Sequence, residues 1–203
     1  MVVTIDIKDF FPSIRHTQVF KVWRELLGCS DEVASLLTRL TTFEKHLPQG
    51  ASTSTSLANL VLFSIDGSIR QGCQDLGIRY SSWVDDLAFS GEKAAEFVPE
   101  VISVLARAGF SIGRKKLKVM GAGSQHVLHG IVINKHPKLL RHRFSELRSA
   151  IHKLAIGKIP ADLVGDYTES LTGAIATVAA ICPRQGRKLQ TSLDASEMWR
   201  VPT

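Results

Sequence analysis

Three aspartates, Asp6, Asp85 and Asp86, are the residues of this sequence best placed to do chemistry. Asp6 lies near the end of a β-branched apolar run, where a buried carboxylate is costly unless a partner compensates its charge. Asp85 and Asp86 lie between two short runs that predict a hairpin, although two adjacent aspartates are also typical of a surface turn. If the first strand and the hairpin are neighbours in one antiparallel sheet, Asp6 and Asp85 meet at the same edge. Carboxylates that close require a cation, so the pattern predicts a divalent-metal site.

Such a cluster of carboxylates is suited to nucleotidyl transfer. Two Mg²⁺ ions about 4 Å apart, with Mn²⁺ as a substitute, would activate a primer 3′-hydroxyl and stabilise the leaving pyrophosphate. Successive residues of a strand point to opposite faces, so we expect Asp85 and Asp86 to be unequal ligands.

The hydrophobic pattern predicts the elements that position these residues. The segment Val2 to Ile7 predicts the first strand, and two short helices follow, the second of them capped by Ser30. The further predicted elements are a long helix over 52–74, strands over 78–82 and 87–90, a helix over 96–108, an extended stretch from 110, and a strand over 126–133. This order predicts an α+β fold, an antiparallel sheet with helices on one face.

Helices alone are predicted after Pro137. Apolar residues recur at helical spacing from Phe144 to Leu154, which predicts an amphipathic helix with a basic outer face, and a second apolar helix covers 171–180. We therefore predict a catalytic domain over 1–136 and a helical domain over 137–203.

The composition is that of an ordinary globular protein, 44% hydrophobic and 22% charged. No apolar run is long enough to cross a bilayer and the N-terminus lacks the pattern of a signal peptide, so we expect a cytoplasmic protein without a membrane partner. Cys29, Cys73 and Cys182 lack CxxC spacing, which argues against a disulfide framework or a zinc site and predicts that all three are buried.

Positive charge is concentrated in one part of the chain. The net charge is +6, but the segment from Gly113 to Lys158 is strongly basic and contains a single acid, Glu146, whereas the rest has more acidic than basic residues. A solvated helix face would mix charges of both signs. The one-sided patch therefore favours a nucleic-acid partner.

Three motifs resemble those of bacterial reverse transcriptases, the class that contains retron and group II intron enzymes. They are Asp-Ile-Lys-Asp-Phe-Phe-Pro-Ser-Ile at 6–14, Leu-Pro-Gln-Gly-Ala at 47–51 with 54–60, and Trp-Val-Asp-Asp at 83–86. They occur in family order at family-like spacing, and the similarity continues through 109–116 and 128–134. The resemblance implies a ferredoxin-like or RRM-like polymerase palm followed by a small helical thumb.

The same resemblance implies RNA-directed DNA synthesis. The substrates would be dNTPs, an RNA template and a DNA or RNA primer, and the setting a bacterial retron or phage-defence system. Two alternatives remain at this point. One is a catalytically incomplete palm–thumb module that binds RNA or DNA. The other is an RNA-dependent RNA polymerase, which Phe11 disfavours because a flat ring beneath the sugar excludes a 2′-hydroxyl.

The resemblance also implies roles for individual residues. Asp6 and Asp85 would be the principal metal ligands and Asp86 the supporting acid, with Ile7 in the same metal site. Lys116 would protonate pyrophosphate. The residues implied in nucleotide binding are Ile7, Asp9, Phe11 as a gate against the ribose 2′-hydroxyl, Gln49 and Gly50. Those implied in primer and template binding are Trp83, His129, Gly130, Arg141, Arg148 and Lys153.

Each of these roles has a simpler competitor. Phe11 is otherwise a core aromatic, Gln49 and Gly50 an ordinary turn, and Lys116 a basic residue on a solvated face. His126 and His129 would point to opposite faces of the strand predicted over 126–133, so we do not expect them to share a metal.

The sequence departs from the family pattern in three places. Family members carry a fingers domain before the first motif, whereas this sequence begins shortly before Asp6. We therefore expect a palm and thumb without fingers. Three explanations stay open: a fragment, a sequence with a wrongly placed start, or one half of a split enzyme whose partner is a fingers-bearing segment or chain. Trp83 stands where tyrosine is usual, and Gly113 where asparagine is common.

Overall fold

The computed structural model describes residues 1–113 and 116–198 and divides into two compact units, Met1–Ser124 and Gln125–Thr203. The division lies before the boundary that the sequence predicted after residue 136. The assignment of a palm to 1–136 and a thumb to 137–203 therefore stays a prediction.

A four-stranded antiparallel sheet organises the first unit. Its strands are β1 (Val2–Asp6), β2 (Arg79–Trp83), β3 (Asp86–Ser90) and β4 (Lys118–Met120). They lie in the order β2-β3-β1-β4, and each neighbouring pair is antiparallel. Helices connect β1 to β2 and β3 to β4, which is the ferredoxin-like arrangement. The predicted α+β class is confirmed.

Five α-helices accompany this sheet among the described residues. They are α1 (Phe10–Ser13), α2 (His16–Lys21), which continues into a π-helical turn over Val22–Leu26, α3 (Asp31–Thr41), α4 (Ser54–Asp75) and α5 (Val98–Arg107). The predicted cap of α3 is present, because the Ser30 hydroxyl accepts a hydrogen bond from the Val33 amide.

The two faces of the sheet differ in character. Val3 and Ile5 of β1 and Leu87 and Phe89 of β3 are buried in a core that also contains apolar residues of α4 and α5. Alternate residues on the same strands point to the opposite face, and Asp6 is one of them. The alternation therefore holds its carboxylate outside the hydrophobic core.

The second unit combines a small sheet with helices. Its strands are β5 (Val127–Leu128), β6 (Ile131–Val132) and β7 (Lys138–Leu139), in the order β5-β6-β7. The helices are α6 (Arg141–Ala155), a 3₁₀ turn over Ala161–Leu163, α7 (Val164–Ile181) and α8 (Pro183–Met198). Ile151, Leu171, Ile175 and Leu189 lie in the core that joins the three α-helices.

The strand predicted over 126–133 is wrong, because the structure forms a hairpin there. Leu128 pairs with Ile131, and the two residues between them, His129 and Gly130, have φ angles of 47° and 77°. Two successive positive φ angles turn the chain back on itself. Apolar residues flank the turn on both sides, so the sequence alternates as though one strand continued. The opposite-face argument about His126 and His129 therefore does not apply.

Further elements were not predicted, among them β4 and α8. Two of the three cysteines fit their prediction: Cys73 and Cys182 are buried, whereas Cys29 is half-buried, and all three are free thiols. Burial raises the pKa of Cys73 to about 11. Within the described ranges, every helix is too short or too polar to cross a membrane.

Candidate active site

Asp6, Asp85 and Asp86 lie together at one end of the four-stranded sheet. Asp6 is the last residue of β1 and Asp86 the first of β3, and the two are direct cross-strand partners. Asp85 lies in the turn before β3, where its carbonyl accepts a hydrogen bond of 2.9 Å from the Ile7 amide. The sheet register thus brings Asp6 beside two adjacent aspartates that lie far from it in the sequence.

The hairpin that carries two of these aspartates has a strained tip. Trp83 pairs with Asp86, which leaves only Val84 and Asp85 in the turn. Val84 has a φ of 54°, a conformation that a β-branched residue rarely adopts and that costs about 1–3 kcal/mol. The strain is retained where it sets the position of Asp85, which is typical of a functional site.

Lys116 forms an ion pair with Asp6. The ammonium nitrogen lies 2.8 Å from each carboxylate oxygen and donates a hydrogen bond to Oδ2. The Asp6 side chain is 14% exposed and that of Lys116 is 63% exposed. The hydrogen bond to Asp6 raises the pKa of Lys116, and the charges of Asp85 and Asp86 act in the same direction, against the opposing effect of desolvation.

Backbone hydrogen bonds bring Lys116 to this position. Ile112 bridges to Ile7, and the Gly113 amide donates to the Asp6 carbonyl at 3.2 Å. The Lys116 amide in turn donates to the Gly113 carbonyl at 2.7 Å. Through Gly113, the backbone of Lys116 is therefore anchored to the backbone of Asp6, whose carboxylate the Lys116 side chain contacts.

The residues at this edge fit a hard divalent cation. Asp6 Oδ1 is buried and accepts no hydrogen bond from any residue that the structure describes. The Lys116 ammonium lies 2.8 Å from it, so this oxygen already has a cationic neighbour whose place a metal ion could take. Carboxylate oxygens are the donors that Mg²⁺ prefers. Over 1–113 and 116–198, however, no three His, Cys, Asp or Glu side chains converge into a preformed metal site. The aspartates share an edge, and Lys116 already contacts one of them.

Residues 1–153, which include this whole edge, match the family model of reverse transcriptase (RNA-dependent DNA polymerase). The chain belongs to the reverse transcriptase family. Reverse transcriptases use divalent metal ions, in agreement with the carboxylates described above.

The relatives of this chain include several retron enzymes. The retron Ec86 reverse transcriptase of Escherichia coli is 29% identical over 200 residues, which cover 97% of this chain and 60% of that protein. The retron Mx162 reverse transcriptase of Myxococcus xanthus is 28% identical over 234 residues, covering 97% and 48%. The retron Ec48 reverse transcriptase of Escherichia coli is 27% identical over 161 residues, covering 76% and 40%. The chain spans about half the length of these relatives. They confirm the resemblance to the bacterial retron type.

The residues that the sequence assigned to nucleotide binding lie in the first unit. Phe11 is half-buried beside the core, with its ring 5.5 Å from that of Phe10. The Ile7 side chain is a hydrocarbon buried in the core, so only the backbone carbonyl of Ile7 could bind a metal. Asp9 has an exposed side chain and a φ of 47°. Gly50 has a φ of 91°, which favours glycine.

Trp83 lies beside the aspartates, as its predicted role in primer binding requires. It is the cross-strand partner of Asp86, so Trp83, Asp86 and Asp6 form one row across three strands. Its side chain is 69% exposed. Sequence reasoning missed two neighbours of Trp83, namely Asn59 and Phe63, which line a groove of about 310 Å³ with it. Asn59 and Phe63 lie four residues apart on α4, so they share one face of the helix. This spacing in the sequence is the signal that could have placed them together.

The basic residues assigned to primer and template binding lie in the second unit, on α6. Arg148 lines a groove of about 500 Å³ between α6 and α8 together with Arg187 and Lys188, whereas Lys153 lines a different groove. Sequence reasoning missed Arg187 and Lys188 because it did not predict α8. His129 and Gly130 lie at the β5–β6 turn. Two members of the predicted basic patch, Arg114 and Lys115, lie outside the described residues.

Proposed function

We propose that this chain carries the catalytic core of an RNA-directed DNA polymerase, which transfers nucleotides from dNTPs to a primer 3′-hydroxyl on an RNA template. The edge shared by Asp6, Asp85 and Asp86, within the segment that matches the reverse transcriptase family, carries the proposal. Three carboxylates at one edge of a palm-like sheet are suited to phosphoryl transfer, because that reaction depends on positioning and electrostatics rather than on covalent catalysis.

Asp6, Asp85 and Asp86 would hold two Mg²⁺ ions, and the Ile7 carbonyl would add a further oxygen. Bound Mg²⁺ supplies activation of the primer hydroxyl and neutralisation of the triphosphate. The largely buried carboxylate of Asp6 and the turn residue Asp85 stand in different environments, so the aspartates would contribute unequally. Lys116 is exposed enough to reach the phosphates, where its ammonium would donate a proton to the leaving pyrophosphate.

Phe11, Gln49 and Gly50 would bind the incoming nucleotide, with Asp9 at the start of α1 beside them. Contact with Phe10 and the core holds the Phe11 ring in one place, as a steric gate requires. A fixed ring excludes the extra oxygen of a ribonucleotide without any hydrogen bond to it.

The second unit and Trp83 would bind the nucleic acid. Arg141, Arg148 and Lys153 are exposed on α6, and their charges would contact phosphates of the primer–template duplex. His129 and Gly130, at the β5–β6 turn of the second unit, would also contact the primer or template. Trp83, next to Asp86, offers an exposed planar surface on which the primer terminus can rest.

The retron relatives support a bacterial setting. We assign the chain to a retron or a phage-defence system in the cytoplasm, where an RNA template and a primer would be its partners. Most of its length aligns with these enzymes, and the segment that matches the family model, residues 1–153, includes all three aspartates.

Primer extension on an RNA template tests this function. The wild-type chain is compared with Asp85→Asn, which removes one negative charge and keeps the shape of the side chain. We expect Mg²⁺-dependent extension with dNTPs by the wild type and a loss of about 100-fold or more in the variant. Equal extension by the two proteins would remove Asp85 from the site. If both bind primer–template and neither extends it, the chain is a binding module and the proposal is wrong.

A further inference from the structure

The Lys116 ammonium contacts both oxygens of the Asp6 carboxylate. Its nitrogen lies 2.8 Å from both oxygens, so it faces the whole carboxylate group rather than one corner of it. The charges of Asp85 and Asp86 also act on this ammonium. The Lys116 side chain therefore contacts one of the three aspartates and is influenced by the charges of the other two.

The two partners of this ion pair differ in freedom. Asp6 is only 14% exposed and is the last residue of a strand that is paired on both sides, so its carboxylate is fixed. Lys116 is 63% exposed and carries its charge on a flexible four-carbon stem. Because the ammonium is exposed to solvent, this ion pair contributes only modest stability and can open at small cost. The Asp6 carboxylate is therefore fixed in position, whereas the Lys116 ammonium can move away from it.

We propose that Lys116 is the resident counter-ion of the aspartate site: it neutralises Asp6 while no metal is bound, and a divalent cation displaces it. Metal binding and release of the ammonium are then one exchange. The inference rests on the proposed function to the extent that Asp6 must be a metal ligand.

The exchange has a consequence for the position of the released ammonium. The Lys116 backbone stays anchored, because its amide is bonded to Gly113 and the Gly113 amide is bonded to the Asp6 carbonyl. Only the side chain moves. The freed charge therefore stays beside the site at the moment when the metal arrives with the phosphates of a nucleotide. Lys116 acts here as a displaceable counter-ion of Asp6, in addition to its proposed role in proton transfer.

A permanent structural ion pair is the alternative, and it predicts the opposite response to substitution. If Lys116 held Asp6 in place for the metal, its removal would weaken metal binding. If Lys116 competes with the metal, its removal strengthens binding. An ion pair formed nine-tenths of the time would lower the apparent metal affinity by about tenfold, because only the open fraction can bind.

Calorimetric titration of Mg²⁺ into the nucleotide-free protein distinguishes the two. The variants are Lys116→Met, Lys116→Arg, which keeps the charge, and Lys118→Met, an exposed control on β4 whose backbone pairs with Thr4. We expect Mg²⁺ to bind Lys116→Met about tenfold more tightly than the wild type. Lys118→Met should bind it with wild-type affinity, and Lys116→Arg, whose cation still competes for Asp6, should not bind it more tightly than the wild type. Thermal unfolding should show Lys116→Met destabilised in EDTA, with the difference shrinking at saturating Mg²⁺.

The outcomes separate this inference from the proposed function. Unchanged or weaker Mg²⁺ binding by Lys116→Met overturns the counter-ion role, and the metal site survives if Asp6→Asn still abolishes binding. If the wild type and Lys116→Met both bind no Mg²⁺ at any concentration, Asp6 is not a metal ligand. In that case the proposed function and the inference fail together.

Discussion

Asp6 and Asp86 face each other directly across the antiparallel strands β1 and β3. Like charges in this relationship destabilise a sheet. The fold keeps them at the end of a sheet whose other face is buried, with Lys116 in contact with Asp6. An arrangement that works against stability in this way is understandable if a cation-dependent reaction takes place there.

Phe11→Ala should weaken discrimination against ribonucleotides. The Phe11 ring is fixed beside Phe10, and its loss would leave space for a 2′-hydroxyl. We expect the preference for dNTPs over NTPs to fall by about tenfold or more in single-nucleotide addition. Phe43→Ala serves as the control, because the Phe43 side chain is 63% exposed. An unchanged preference in Phe11→Ala would remove the gate from the site.

The groove between α6 and α8 should contribute to nucleic-acid binding. Arg148 and Arg187 line it from different helices, and each phosphate contact adds about 0.9 to the dependence of log affinity on log salt concentration. We therefore expect the double variant Arg148→Ala/Arg187→Ala to bind primer–template more weakly, with a slope lower by about 2. Binding measured at several salt concentrations checks this.

A matched pair of substitutions supports the interpretation of that experiment. Lys158 and Arg184 are exposed residues of the same unit that do not line the groove. The variant Lys158→Ala/Arg184→Ala removes the same charge, and we expect it to retain most of the salt dependence. Equal losses in the two double variants would mean that net charge, rather than this groove, determines binding.

Two helical glycines of the second unit should respond to alanine with opposite signs. A Cβ at Gly186 on α8 would collide with the backbone of Ala179 on α7, whereas a Cβ at Gly173 would meet open space. Gly186→Ala should lower the free energy of unfolding by about 1–3 kcal/mol. Gly173→Ala should raise it by about 0.5–1 kcal/mol, because alanine favours the helix. Urea denaturation of both variants measures this. A stabilised Gly186→Ala would contradict the α7–α8 packing.

Much of the first unit was predictable from local pattern. Four predicted elements begin and end within two or three residues of the observed ones. They are the first strand, the long helix observed at Ser54–Asp75, and the two strands that flank Asp85. In each of these segments the apolar residues recur with one clear period, and the sequence marks where the segment begins and ends. The shared edge of Asp6 and Asp85 followed from placing the first strand beside the hairpin.

The remaining features depend on information that no local pattern contains. The sequence could not show that Asp6 pairs with Asp86 rather than Asp85, because register is set across the sheet. The contact of Lys116 with Asp6 depends on a turn that returns to β1 from a distant part of the chain. The β5–β6 hairpin was missed because its turn is His129–Gly130 rather than Asn-Gly. The helix α8 is polar and contains Gly186, so its pattern was weak.

The rate of a single nucleotide addition in Mg²⁺ tests most directly whether the aspartate edge is a polymerase site. Wild type is compared with Asp6→Asn and with Asp75→Asn, which makes the same change at an exposed position on α4. We predict a loss of about 100-fold or more in Asp6→Asn and wild-type rates in Asp75→Asn. Wild-type rates in Asp6→Asn would show that the carboxylate at the centre of this edge takes no part in the reaction.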